Sequence, residues 1–288
     1  MPEPSMSDYA EKIYAAQDGL RLHYRDYGDP QSSGTPVLCL TGLTRNSRDY
    51  HELATRLCTA RRVICPDYRG RGRSAYDPDW RNYHPRSYVG DVLQLLIAAN
   101  LHRVIVIGTS LGGLIAMALA VARPAALAGV VLNDVGPVID QTGLDRIRLY
   151  IGRDHPQEDW AGAVAFVKQT LASLGEKSDA DWRRIAEGTF REGPDGKLHV
   201  DWDVALARPL QRMAVIPDLW PLFRALRPIP TLAFRGALSD LLTVDTFDRM
   251  QREHPALLQV TVAGVGHTPT LDEPESRHAL DAFLAGCR

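Results

Sequence analysis

Short, apolar, often β-branched runs recur along the chain at residues 37–40, 62–65, 104–107, 130–132, 231–234 and 258–262. Most are too continuously apolar to alternate between core and water. They suit strands covered on both faces, as in a parallel sheet flanked by helices. In SYVGDVLQLLIAANL, the apolar positions Val89, Val92, Leu93, Leu96 and Ile97 recur at three- and four-residue intervals, which predicts a helix laying one stripe on such a sheet. Near the N-terminus the period changes to two. Leu20, Leu22 and Tyr24 alternate with Arg21, His23 and Arg25 beyond a Gln-Asp-Gly turn, predicting an antiparallel hairpin at the sheet edge. Pro274 and Glu275 suit a first helical turn and Gly286 a helix stop, so a terminal helix closes the chain.

From Pro137 to about Arg227 the strand rhythm gives way to helix-like segments carrying Trp160, Trp182, Trp202 and Trp220; it resumes in PIPTLAFRG. The simplest architecture is an α/β fold, a mostly parallel central sheet with helices on both faces. Its core would comprise residues 1–136 and 229–288, and residues 137–228 would form an inserted helical cap over the strand ends.

Composition narrows the possible functions. The 288 residues are 45% hydrophobic and 24% charged, ample for a sizeable core. A net charge of −2 offers no bulk attraction to nucleic acid or to an acidic membrane, and no apolar run is long enough to span a bilayer. Cys39, Cys58, Cys65 and Cys287 show no paired metal-ligand spacing and read as reduced thiols; the acidic start MPEPSMSDYAEK is unlike a secretory leader. The expectation is a cytoplasmic protein acting on a small molecule, without metal or organic cofactor.

The chemistry centres on Ser110, within Gly108-Thr109-Ser110-Leu111-Gly112 between a predicted strand and a predicted helix. A side chain on so sharp a turn is lifted out of the sheet to a helix N-terminus, where free N–H groups favour negative charge. A dinucleotide-binding turn would need glycine where Ser110 stands. A hydroxyl needs a base, and the base an orienting acid. His267, in the loop after the last strand, supplies the base. Asp240, just beyond the preceding strand, is the favoured acid, giving the order Ser, Asp, His. The Leu111 N–H, next to the nucleophile, supplies one oxyanion donor.

With these residues in order, the chain resembles the α/β-hydrolase-fold superfamily, in particular its small capped serine esterase-like members, from about Ile13 to Ala285. CPDYRGRGRS is similar to the Asp-x-Arg-Gly-x-Gly-x-Ser loop of many members. The resemblance implies a second oxyanion donor, the N–H of Leu43, in CLTGLTRNS; Thr41 there replaces the usual histidine of a His-Gly pair. Because some relatives carry the acid one strand earlier, Asp134 in VLNDVGPVID is the alternative to Asp240, and is otherwise read as structural. Arg69, Arg71 and Arg73 read as a solvated loop crossing near the site, since their glycines do not form a phosphate loop. The expected reaction is hydrolysis of a carboxylic ester or lactone through an acyl-enzyme. Carbon–carbon bond hydrolases, thioesterases and perhydrolases share the triad, and some members of the fold are small-molecule receptors. Epoxide and haloalkane hydrolases of this fold use an aspartate nucleophile, and the insertion offers only Tyr150 where the epoxide type wants tyrosines. Substrate-contacting residues of the insertion are unassigned.

Overall fold

In the computed structural model, which describes residues 9–171, 174–175, 177–212 and 217–287, each of the six apolar runs becomes a strand. In chain order the strands are β1 (Tyr9–Ala15), β2 (Arg21–Tyr27), β3 (Gly34–Leu40), β4 (Arg61–Pro66), β5 (Val104–Thr109), β6 (Leu127–Asn133), β7 (Phe190–Glu192), β8 (Leu198–Val200), β9 (Thr231–Gly236) and β10 (Leu258–Val262). Eight form one sheet in the order β1-β2-β4-β3-β5-β6-β9-β10. The hairpin β1–β2 joins β4 antiparallel at one edge; every other pairing in that sheet is parallel. The chain leaves β3 toward β4 on one side and returns to β5 on the other. The loops after β3 and β5 therefore part at a topological switch point, where open α/β sheets form ligand crevices.

Helices α1 (His51–Leu57), α2 (Pro85–Ala98) and α3 (Leu111–Ala122) link these strands. Inward positions of each strand divide between two apolar layers. Leu38, Leu40, Val104, Val106, Val130 and Leu132 pack with Val92, Leu95 and Leu96 of α2 and with Ile115 and Met117 of α3. Val37, Cys39, Ile105, Ile107 and Val131 pack on the opposite face with Leu53 and Leu57 of α1. Each such side chain contributes about 1.5–3 kcal/mol by leaving water, which explains why the strands read as unbroken apolar runs.

Between β6 and β9 lie α4 (Gln141–Ile151), α5 (Trp160–Thr170), α6 (Asp179–Thr189), the β7–β8 hairpin, α7 (Ala207–Arg212) and α8 (Trp220–Arg224). After β9 come α9 (Val244–Glu253) and α10 (Pro274–Gly286), the latter completing the second layer with Leu280, Phe283 and Leu284. Helix α6 begins with a reciprocal capping box between Ser178 and Asp181. The hairpin is an addition to the mostly helical segment expected here: its strands have three residues each, too short to leave a periodic signal. Trp182, Trp202 and Trp220 are buried, and Trp202 Nε1 donates to the Ile151 carbonyl at 3.0 Å. No helix among the described residues is long and apolar enough to cross a membrane.

The arginine-bearing loop after β4 corrects the expectation of a solvated run. Only Arg73 lies in solvent, beside Glu11. Arg69 is 3% exposed and bonds Asp91 through two nitrogens at 2.8 and 2.6 Å, with Asp77 at 2.6 Å and Asp18 at 2.7 Å. Arg71 is completely buried, its guanidinium against the rings of Tyr68 and Tyr88. Buried guanidinium groups persist because paired carboxylates, carbonyls and aromatic faces replace their water.

Candidate active site

The strand-to-helix turn at Ser110 is built by close approach. Ser110 has φ 51° and ψ −114°, a left-handed backbone that side chains other than glycine seldom adopt, and its N–H donates to the Asn133 carbonyl at 3.1 Å. Gly108 and Gly112 make room for it. A Cβ on Gly108 would lie 2.5 Å from the Gly112 carbonyl carbon, and one on Gly112 would run into the Leu40 carbonyl. The turn rests on a polar chain: the Tyr50 hydroxyl bonds Thr109 Oγ1 at 2.6 Å, and Asn133 Nδ2 donates to Thr109 Oγ1 at 3.0 Å and to the Pro269 carbonyl at 2.9 Å. The last bond ties the turn to the loop that carries His267.

His267 Nδ1 bonds Asp134 Oδ2 at 2.6 Å, with Asp134 fully buried. Asp134 follows β6 with φ 52° and accepts from the Gly236 N–H at 2.9 Å and the Ser239 hydroxyl at 2.6 Å. Such over-determination fixes a carboxylate in one pose. The favoured partner for the imidazole, Asp240, is instead held by Arg146 of α4, bidentate at 2.7 and 3.0 Å, and this corrects the expected contact. The cause is the turn after β9. Ser239 points back to Asp134, while the Asp240 carbonyl accepts from the Gly143 N–H at 3.1 Å, turning the Asp240 side chain toward α4. Burial pushes the Asp240 carboxyl up, but the Arg146 guanidinium, with His267 adding to it, holds it below the usual aspartate range. The structure thus brings Asp134 to His267 and leaves Asp240 at the junction with the inserted segment.

Leu43 lies in the loop after β3 and Leu111 opens α3. Among the described residues, no acceptor takes either backbone N–H. The Leu43 carbonyl accepts from Arg71 Nε at 2.5 Å, and Arg71 Nη1 donates to the Arg69 carbonyl at 2.7 Å, so a buried guanidinium braces the Leu43 peptide. Arg71 is a functional candidate missed in the sequence; its signal was the Asp-x-Arg-Gly-x-Gly-x-Ser pattern itself. Thr41, also buried, donates from Oγ1 to the Arg45 carbonyl at 3.3 Å and closes the same loop on itself. Farther along, Arg45 Nη1 donates to Thr189 Oγ1 at 2.6 Å and Asn46 Nδ2 to the Gly188 carbonyl at 3.0 Å, fastening the loop to the end of α6.

Ser110, His267, Leu43 and Thr41 open onto one cavity of about 580 Å³. Its far wall comes from the segment between β6 and β9, with Ile147, Tyr150, Phe166, Leu171 and Trp202 as apolar lining and Arg146 and Arg184 as cations. A small acyl group finds matching apolar surface there, while the two cations are paired, Arg146 with Asp240 and Arg184 with Asp181 and Glu52. Among the described residues, no cluster of three or more His, Cys, Asp or Glu is arranged to hold a metal ion. The arrangement provides a strained hydroxyl, an oriented imidazole and two unpaired N–H groups, the parts needed to form and hold a tetrahedral intermediate.

Comparison with known proteins agrees in extent as well as kind. The model of the alpha/beta hydrolase family matches residues 37–279. The chain is 34% identical over 275 residues to the 3-hydroxybutyrate-oligomer hydrolase of Cupriavidus necator, covering 92% of this chain and 93% of that protein. It is 28% identical over 262 residues to the 2-(acetamidomethylene)succinate hydrolase of Mesorhizobium japonicum, covering 89% and 88%. The crystal structure of an alpha/beta hydrolase from Novosphingobium aromaticivorans superposes with a TM-score of 0.92 at 42% identity, covering 98% and 99%.

Proposed function

The chain belongs to the alpha/beta hydrolase family and is a hydrolase, and from that premise we propose that it cleaves the carboxylic ester bond of a small molecule through an acyl-enzyme on Ser110. The observation that carries the reading is the pairing of His267 with the buried Asp134 on the cavity that Ser110 also lines. His267 takes the Ser110 proton as the hydroxyl attacks the carbonyl, then protonates the leaving alcohol; Asp134 fixes the tautomer with the proton on Nδ1 and stabilises the imidazolium. The Leu43 and Leu111 N–H groups receive the oxyanion, and water activated by His267 releases the acid.

Residues 137–228 act as a cap that selects the acyl group, over a core of residues 1–136 and 229–288. Asp240, through Arg146, anchors that cap and does not touch the reacting atoms. The substrate class most in keeping with these features is an ester of a short hydroxy acid. An oligomer of 3-hydroxybutyrate, named for the Cupriavidus relative, is joined by such bonds, and the apolar lining of the cavity suits its short acyl units.

The test is a fluorophosphonate probe together with a 4-nitrophenyl butyrate assay on wild type and Ser110→Ala. The wild type is expected to label once per chain and turn over the ester, and the variant to lose both, with activity down by about 10⁴-fold or more. A wild type that neither labels nor hydrolyses the ester defeats the reading.

A further inference from the structure

A second cavity, of about 550 Å³, lies where strand β2, the loops after β3 and β4, and the β7–β8 hairpin meet. Its lining is polar and unevenly charged. Arg25, Arg48 and Arg191 contribute guanidinium groups, against the two carboxylates of Asp67 and Asp201; Arg73 also borders the cavity, but its guanidinium is paired with Glu11. Both carboxylates are already engaged. Asp67 accepts from His23 Nδ1 at 2.8 Å, the Ser47 N–H at 2.6 Å and the Arg73 N–H at 3.0 Å; Asp201 is held by Arg48 and by Asn46 Nδ2 at 3.0 Å. Cationic donor capacity is left over. His23, only 4% exposed, keeps its Nε2 buried with no hydrogen-bond partner among the described residues, and the buried Arg25 Nε has none either. Arg191, half-exposed on β7, meets Asp201 only at 3.5 Å and the Tyr76 hydroxyl at 3.2 Å.

We propose that this cavity is a binding site for a small oxyanion, carried on a carboxylate or a phosphate group, gripped by Arg191 and Arg48 with Arg25 as a further donor. A buried guanidinium N–H without a partner, as at Arg25 Nε, costs free energy that an anion recovers, and planar guanidinium groups match the geometry of either oxyanion. The ligand joins two parts of the chain. Arg191 belongs to the hairpin of the inserted segment, whereas Arg48 and Arg25 also line the larger cavity that holds Ser110. An anion seated here therefore adds a tie between the hairpin and the core beside the Leu43 loop, without entering the space of the reacting groups.

Isothermal titration of the full chain, at pH 7.5 and constant ionic strength with chloride as the balancing ion, tests this with inorganic phosphate and succinate as separate probes. One saturable site is expected for at least one of them, and the stronger arm identifies the group recognised. Arg191→Gln is expected to weaken that binding about tenfold while leaving 4-nitrophenyl butyrate hydrolysis unchanged. Arg146→Gln, altered only in the larger cavity, is expected to retain the binding. Absence of saturable heat from both anions, undiminished affinity in Arg191→Gln, or loss of binding in Arg146→Gln would each overturn the proposal. None of these outcomes depends on whether Ser110 is a nucleophile.

Discussion

At the scale of single residues, the choice between Asp134 and Asp240 turns on which carboxylate faces an imidazole. Asp134→Asn would leave the Ser239 and Gly236 contacts largely in place but present an amide to His267 Nδ1, favouring the wrong tautomer. Its turnover of an aryl ester is expected to fall by about 10³–10⁴-fold with little change in KM. Asp240→Asn loses an ion pair that is about one-quarter exposed and is expected to stay within about fivefold of wild type. Steady-state kinetics on the two variants decides the matter, and a larger loss in Asp240→Asn would reverse the assignment. The sequence could not make this distinction. Strands β6 and β9 pair side by side in parallel, so both aspartates emerge at the same sheet edge. Which one reaches His267 depends on a left-handed backbone at Asp134 and on the direction Ser239 points, and neither is encoded in residue spacing. The buried arginines escaped for a similar reason. Arg69 is neutralised by Asp18, Asp77 and Asp91, which come from three separate segments and meet only in the fold.

At the scale of elements, two glycines of similar appearance in sequence play opposite parts. Gly112 sits where helix α3 crosses the end of β3, and a Cβ there has no space beside the Leu40 carbonyl. Gly112→Ala is expected to displace the start of α3 and destabilise the chain by about 3 kcal/mol or more, read as a lower midpoint in urea unfolding. Gly90 lies inside α2, and a Cβ there meets nothing within 4 Å. Gly90→Ala is expected to raise stability by about 0.4–1 kcal/mol, since alanine has the higher helix propensity and a less mobile unfolded state. Equal destabilisation by both would show that the α3 crossing is looser than described. The main elements were legible because continuous apolar strands and three- and four-residue helical spacing directly record burial. The β7–β8 hairpin was not, because three residues hold no period.

At the scale of the molecule, Asp201 joins the hairpin to the loop after β3 through Asn46 and Arg48. Burial pushes its carboxyl up to about 6, against the pull of Arg48 and Arg191, from 3.8 in a free side chain. Between those values the folded chain binds more protons than the unfolded chain, so this group's contribution to stability falls as pH rises from about 4 to about 6. Asp201→Asn, neutral throughout, removes the dependence. The difference in Tm, variant minus wild type, is expected to grow across that window and level off above pH 7; a difference that is flat with pH would contradict the raised carboxyl.

The groups proposed for bond cleavage leave the C-terminal ends of β3, β5, β6 and β10, and none of them lies between residues 137 and 228. On the proposed reading, reactivity and selectivity are carried by separate stretches of the chain, like a tool and its interchangeable jaw. A chimera that receives residues 137–228 from a relative, with Gly188, Thr189 and Asp201 retained to meet the core, is expected to keep hydrolysing a simple aryl ester while adopting the donor's preference for acid length. If that chimera behaves so, divergence in this architecture needs no rebuilding of the catalyst: new substrates are reached by replacing one continuous insert.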